Sequence, residues 1–210
     1  MLITFLTDFG LEDDFVGTCH GVMKRIAPEV EIIDITHGIQ PQSVLQGALV
    51  LANTLPYLPE GVHLAVVDPG VGGERREIAV RGTNGRTYVG PDNGLLSLAW
   101  DAAGGIRSAV DLTSAGVLRR PHAESFRAPD TLCPPAASLA SGMPIEQLGT
   151  PLDPTTLAVV VMAEPEVEAG KITCEVIDFN RFGNVHLNVR PADLDAAGLD
   201  AEAMLSIEAV

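Results

Sequence analysis

Three carboxylates stand where an α/β protein would present them to a ligand. Asp8 follows the apolar run Leu2 to Leu6. Asp34, with His37, closes the run Glu31 to Thr36. Asp68 ends the run that starts at His63 and leads into Pro69-Gly70-Val71-Gly72-Gly73-Glu74-Arg75-Arg76. In an open sheet, ligands bind outside the carboxyl ends of the strands, where loops combine exposed polar groups with helix N-termini. Each aspartate taken singly also suits a helix cap or a glycine turn. Three on convergent loops point instead to a binding site. What is missing from the sequence narrows its chemistry. No Gly-Lys-Ser/Thr or Gly-x-Gly-x-x-Gly follows the first strand, so a nucleoside triphosphate or dinucleotide is not expected. No Gly-x-Ser-x-Gly elbow supplies an acyl-transfer nucleophile. The histidines at 20, 37, 63, 122 and 186 lack paired ligand spacing, and there is no Cys-x-x-Cys, so no structural zinc is expected. His20 reads as a helix residue satisfied by packing.

The elements that would hold these loops follow from hydrophobic period. Phe15, Val16, Cys19, Val22, Met23 and Ile26 share one helical face after a start near Asp13 or Asp14, and Pro28 stops that helix. Val44, Leu45, Ala48, Leu49 and Ala52 mark a second helix, Val44 to Leu55, before the strand His63 to Asp68. Nearly all-apolar strands alternating with helices predict an α/β domain over residues 1–150, a parallel sheet with helices on both faces. Glu77 to Arg81 and Arg86 to Val89, around Gly82-Thr83-Asn84-Gly85, predict a hairpin with an Asn-Gly turn. Thr150-Pro151-Leu152-Asp153-Pro154 has the composition of a linker. Beyond it, Leu157 to Met162, Ile172 to Ile177, Val185 to Val189 and Met204 to Ile207 read as strands without a strong intervening helix. Residues 156–210 are therefore expected to be the start of a small β domain.

Composition bounds the partners. The 13 Lys+Arg against 28 Asp+Glu give a net charge of −15, which repels nucleic-acid backbones and anionic membranes. No apolar run approaches the ~20 residues of a bilayer span. The N-terminus lacks the basic and small-residue flanks of a signal peptide. Three cysteines, at 19, 133 and 174, argue against a disulfide framework and for a cytoplasmic protein.

The order of motifs is more specific than any one of them. Thr7-Asp8-Phe9-Gly10, Asp34-Ile35-Thr36-His37, Val67-Asp68-Pro69-Gly70-Val71-Gly72 with Glu74-Arg75-Arg76, Gly90-Pro91-Asp92-Asn93-Gly94-Leu95-Leu96 and Arg181-Phe182-Gly183-Asn184 occur in this sequence. Together they resemble the S-adenosylmethionine hydrolase family, the hydroxide adenosyltransferases, which are related to fluorinase and chlorinase. The resemblance runs from Leu2 to about Val189. It implies attack of water or hydroxide on the 5′-carbon of S-adenosyl-L-methionine, giving adenosine and L-methionine. It assigns Asp68 and Arg75 to holding the attacking water, Asp8 to both ribose hydroxyls, and Asn180, Phe182 and Asn184 to the base and polar end of the ligand. It also implies a metal-free, cofactor-free homotrimer with sites at subunit interfaces, acting on a small molecule.

Three departures stand out. Family members continue past the position of Val210 with a segment that completes the β domain, so by the resemblance the β domain here is expected to be truncated. The family usually reads Thr-Phe-His-Gly-Arg-Asp where this chain has Ser125-Phe126-Arg127-Ala128-Pro129-Asp130, so the third water-holding position is Arg127. A guanidinium donates hydrogen bonds but accepts no proton. The family's Asp before Arg-Phe-Gly-Asn is Asn180, which removes a charge facing the methionine ammonium. A non-catalytic adenosine or S-adenosylmethionine binder is the main rival reading. A halogenase is the lesser one, because Asp68 would repel a halide where halogenases carry an aromatic residue.

Overall fold

Strands that are apolar on both faces need cover on both faces, and the first half of the chain meets that need. The computed structural model describes residues 2–113, 116, 118, 126–200, 202–204 and 206. The expected alternation is present as β1 (Leu2–Thr7), α1 (Phe15–Ile26), β2 (Glu31–Thr36), α2 (Val44–Thr54) and β3 (Val62–Val66). It continues with β4 (Glu77–Gly82), β5 (Thr87–Pro91), α3 (Ser97–Ala102), β6 (Ile106–Asp111), α4 (Ala128–Thr131), α5 (Cys133–Ala140) and β7 (Thr150–Leu152). These seven strands form one sheet in the order β2-β1-β3-β5-β4-β6-β7. The first four positions pair parallel, and from β5 onward the pairing is antiparallel. Direction reverses where the Asn84-Gly85 turn, with Gly85 at φ 85°, folds β5 back on β4, because a short turn joins only antiparallel neighbours.

The period-2 alternation of the strands divides the core. Ile3, Phe5, Val62, Leu64 and Val66 pack with Cys19, Val22 and Met23 of α1 and Ala136 and Ala137 of α5. Leu6, Ala65 and Val67 pack on the other face with Leu51 of α2 and Ala99 and Trp100 of α3. Sequence period does not reveal α5, whose residues are buried all round; Pro134 and Pro135 occupy its first turn, where a fixed φ and a missing N–H are harmless. Burial and the neighbouring Cys19 thiol push the Cys133 thiol well up, so Cys133 stays protonated. Gly90 is a steric requirement, since a Cβ there would collide with the Ala65 carbonyl oxygen across the β3–β5 pairing.

Several expectations after residue 149 are corrected. Thr150 to Leu152 is no linker but edge strand β7, paired with β6, and Pro151 is tolerated because an edge strand has an unpaired side. Leu157 to Met162 is not a strand. Its main chain is pinned by side chains instead, with Ala158 N–H donating to Asp92 Oδ1 at 2.8 Å and Val160 N–H to Ser97 Oγ at 3.0 Å. The first compact unit accordingly runs to Val160, and the second spans 161–210. The second unit holds two antiparallel ribbons, β8 (Glu166–Glu168) with β9 (Lys171–Thr173) and β10 (Val176–Phe179) with β11 (Val185–Leu187). A helix not expected from the sequence, α6 (Pro191–Ala197), completes it. Pro191 starts α6, Asp193 accepts from the Arg190 N–H at 2.7 Å, and Gly198 ends it at φ 68°. Leu205 and Ile207 of the last expected strand lie outside the described residues, as do His122 and Ser125.

One buried base makes the first unit sensitive to acid. His63 is fully buried, with Nδ1 2.8 Å from Thr4 Oγ1 and Nε2 3.3 Å from Arg86. Burial first, and then the Arg86 charge, push its pKa down to about 3. The unfolded chain protonates His63 near pH 6.5 and the folded chain resists doing so, so this residue's contribution is complete above pH 6.5 and is lost as pH falls toward 3. The expected size is on the order of a few kcal/mol across that window. Denaturant melts from pH 7 to pH 4 should show this slope, and His63→Gln should flatten it.

Candidate active site

Asp68 lies just past β3, and the strand end is held in place for it. Asn93 donates from Nδ2 to the Val67 carbonyl at 2.9 Å, and its Oδ1 accepts from the Leu95 N–H at 3.1 Å. The glycine-rich turn then brings Arg75 back onto Asp68. Asp68 Oδ1 accepts from the Gly70 N–H at 3.1 Å, and Oδ2 accepts from Arg75 Nε at 2.7 Å and also from Arg75 Nη2. Asp68 therefore closes a turn, as an isolated aspartate would, and holds a guanidinium as well. Arg75 Nη1 lies 3.3 Å from Oε1 of Glu77, which also accepts from the Thr131 hydroxyl at 2.8 Å. The side chains of Asp68 and Glu77 are each only 6% exposed and that of Arg75 is 14% exposed. Burial opposes the Arg75 charge, but the hydrogen bonds and charges of Asp68 and Glu77 outweigh it and hold the guanidinium above its usual range.

Arg75 and Arg76 are not a solvated pair. They reach different partners: Arg75 holds Asp68 and Glu77, and Arg76 donates to Asp92 at 2.8 Å and 2.5 Å and to the Thr156 carbonyl at 2.7 Å. Arg76 and Asp92 therefore fasten the 153–160 segment.

Arg127 directly precedes α4. Its main-chain carbonyl lies 3.0 Å from the Thr131 hydroxyl, whose single proton is shared between that carbonyl and Glu77 Oε1, so the Arg127 backbone, not its guanidinium, is linked to Glu77 and Arg75. Its Nε is buried and without a hydrogen-bond partner among the described residues. The preceding Phe126 packs on Phe15 and Phe9, with ring centroids 4.5 Å and 5.5 Å apart. Phe9 in turn follows Asp8, so this aromatic trio ties the Asp8 loop to the Arg127 segment. Asp8 does not cap α1, whose N-cap is Asp14. Its Oδ2 accepts from the Gln42 N–H at 2.8 Å, and Gln42 has a φ of 67°, rare for a residue with a side chain.

Of the expected site residues, Asp68 and Arg75 are in direct contact, Arg127 joins them through Thr131, and Asp8 is linked through Phe9 and Phe126. Asn180, Phe182 and Asn184 belong to the second unit, at the tip of the β10–β11 ribbon. There Asn180 Oδ1 accepts from the Phe182 and Asn184 N–H groups at 2.9 Å and 3.1 Å, Gly183 has φ 83°, and Phe182 is 84% exposed. The asparagine oxygen is thus engaged in shaping the turn. Sequence reasoning missed Glu77, whose only signal was an acidic residue opening a buried strand, and the Phe9–Phe15–Phe126 cluster. It also missed that His20, Asp34 and His37 meet, with His20 Nε2 2.9 Å from Asp34 Oδ1.

A mainly parallel α/β sheet with a carboxylate–guanidinium pair at the carboxyl end of a central strand is the arrangement in which open-sheet proteins place their ligand sites. Residues 3–149 match the family described as SAM hydroxide adenosyltransferase N-terminal domain, and the chain belongs to that family. It is 47% identical to an (R)-S-adenosyl-L-methionine hydrolase of Salinispora tropica, over 88% of this chain and 70% of that protein. It is 30% identical to a fluorinase of Nocardia brasiliensis, over 98% of this chain and 77% of that one. A solved structure of an uncharacterized conserved protein from Thermotoga maritima superposes with a TM-score of 0.84 at 35% identity, covering 94% of this chain and 75% of that one.

Removing Arg75 would leave two buried carboxylates facing each other. Arg75→Ala should cost about 3 kcal/mol or more, whereas Arg107→Ala, on an exposed side chain, should stay within about 0.5 kcal/mol of the parent. Urea unfolding of the three proteins checks this.

Proposed function

We propose that the protein hydrolyses S-adenosyl-L-methionine to adenosine and L-methionine, with Asp68 and Arg75 holding the attacking water. The observation that carries this reading is the buried Asp68–Arg75 pair, locked by Gly70 and Glu77, in a chain 47% identical to a hydrolase of that name. The leaving sulfur departs as a neutral thioether, so no general acid is required. The demands are alignment and activation of the nucleophile. Water oxygen bonds to the 5′-carbon, the carbon–sulfur bond breaks with its electron pair on sulfur, and the released proton passes to solvent by way of the Asp68 carboxylate. Arg75 fixes that carboxylate and stabilises negative charge building on the water oxygen.

Asp8 takes the ribose hydroxyls, as an ionised two-acceptor group can. Arg127 occupies the third water-holding position as a donor that never accepts a proton. Phe182 and Asn184 face the base and polar end of the ligand, and Asn180 contributes through the turn that presents them. Assembly as a homotrimer, a cytoplasmic location and turnover without an added cofactor complete the proposal. Among the described residues no helix is long and apolar enough to cross a membrane.

Incubation with both sulfonium epimers of S-adenosylmethionine, in chelator, should yield adenosine and methionine in equal amounts by chromatography. Product-free binding by the folded protein would replace the enzyme with a binding relative. Asp68→Asn keeps the shape of the side chain and removes its charge. It should lower turnover at least a hundredfold while calorimetric binding of substrate changes by less than tenfold; an unchanged rate would reduce Asp68 to a turn residue.

A further inference from the structure

Away from the Asp68–Arg75 network, three metal-binding side chains from separate elements converge on one point. His20 comes from α1, Asp34 from β2 and His37 from the loop after β2. His20 Nε2 lies 2.9 Å and His37 Nε2 3.1 Å from the same Asp34 Oδ1, and all three ligand atoms lie within 4.8 Å of one another. The His37 side chain is only 3% exposed, and its Nε2, which completes no well-aligned hydrogen bond, sits at ion-pair distance from Asp34 Oδ1, the same oxygen that His20 Nε2 hydrogen-bonds. A cation shared by the three would take up the acceptor capacity of both imidazoles and the carboxylate. With metal–ligand bonds of about 2.0–2.1 Å, tetrahedral ligand atoms sit about 3.4 Å apart and aim at the ion rather than at each other.

The surroundings suit an ion. His37 Nδ1 is 2.9 Å from Thr7 Oγ1, the kind of contact to the far ring nitrogen that orients metal-bound histidines; with Nδ1–H donating to the hydroxyl, Nε2 is free to ligate. The Phe5 ring walls the site, 4.9 Å from His37 and 5.9 Å from His20. His20 is 32% and Asp34 40% exposed, which leaves a path and a fourth position open to water. We infer that His20, Asp34 and His37 bind a divalent transition-metal ion of the zinc class. Two imidazoles and one carboxylate favour Zn²⁺, Co²⁺ or Ni²⁺ over Mg²⁺ or Ca²⁺. The ion takes no part in the proposed hydrolysis. It ties α1 to β2 and to the His37 loop, whose carbonyl accepts from the Gly10 N–H at 2.8 Å beside Asp8.

Protein stripped of metal and titrated with Zn²⁺ by calorimetry should bind one equivalent, with a rise in Tm. Co²⁺ should produce visible d–d absorption that Zn²⁺ displaces, and Mg²⁺ should do neither. His20→Ala, on the exposed side and least able to disturb folding, should weaken Zn²⁺ at least tenfold, as should His37→Ala in a sample shown folded by circular dichroism. His186→Ala, in the second unit, should change nothing. Absence of binding, or binding untouched by His20→Ala and His37→Ala, would overturn the site. Neither readout involves turnover, so the hydrolase reading stands or falls separately.

Discussion

The Arg75 guanidinium stands between two buried carboxylates, Asp68 and Glu77, and the arrangement of the site depends on it. An exposed ion pair is worth ~0–1 kcal/mol, whereas breaking a buried one costs ~3–5 kcal/mol because a charge is left without compensation. Two carboxylates on one guanidinium still leave an excess negative charge. The Gly70 N–H and the Thr131 hydroxyl supply the further hydrogen bonds that make it tolerable. The same groups fix the path of the chain, since the glycine-rich turn, the start of β4 and helix α4 all end on this cluster. A carboxylate held so rigidly reorganises little when a nucleophile is presented to it, which is the property electrostatic catalysis requires.

The sheet explains why that cluster forms where it does. β1, β2 and β3 run parallel, so Asp8, Asp34 and Asp68 all emerge at one end. β4 runs opposite to β3, so its start lies at the carboxyl end of β3, which puts Arg75 and Glu77 within reach of Asp68, and β5 then returns the chain beside β3. Gly90 permits the close approach of β5 to β3, and Asn93, three residues on, clamps the carboxyl end of the latter. The Gly90-Pro91-Asp92-Asn93-Gly94 motif is therefore a positioning device. Asn93 sets the strand end that bears Asp68, and Asp92 with Arg76 secures the segment leading to the second unit.

Membership of the hydroxide adenosyltransferase family agrees with this geometry, and the identity to the fluorinase, 30%, is lower than the 47% to the hydrolase. On the proposed mechanism, Arg127 in the third position would leave proton transfer to Asp68 and solvent, because a guanidinium cannot serve as a base at any working pH. The buried, unpartnered Nε of Arg127 also shows that this arginine is not simply a surface charge.

Local pattern was enough to specify the parallel core, the Asn-Gly hairpin, the bounds of α1 and α2, and the motifs that mark Asp8, Asp68 and Arg75. These are properties of short segments, set by strand and helix period and by turn chemistry. The tertiary structure alone decided who pairs with whom. Glu77 meets Thr131 across 54 positions of chain and Arg76 meets Thr156 across 80, and no periodicity encodes such partners. The same holds for His20, whose approach to Asp34 and His37 depends on how α1 lies over β1 and β2. Likewise β7 has the composition of a linker and becomes a strand only through edge hydrogen bonds that come from β6, and α5, buried on every side, carries no amphipathic signal.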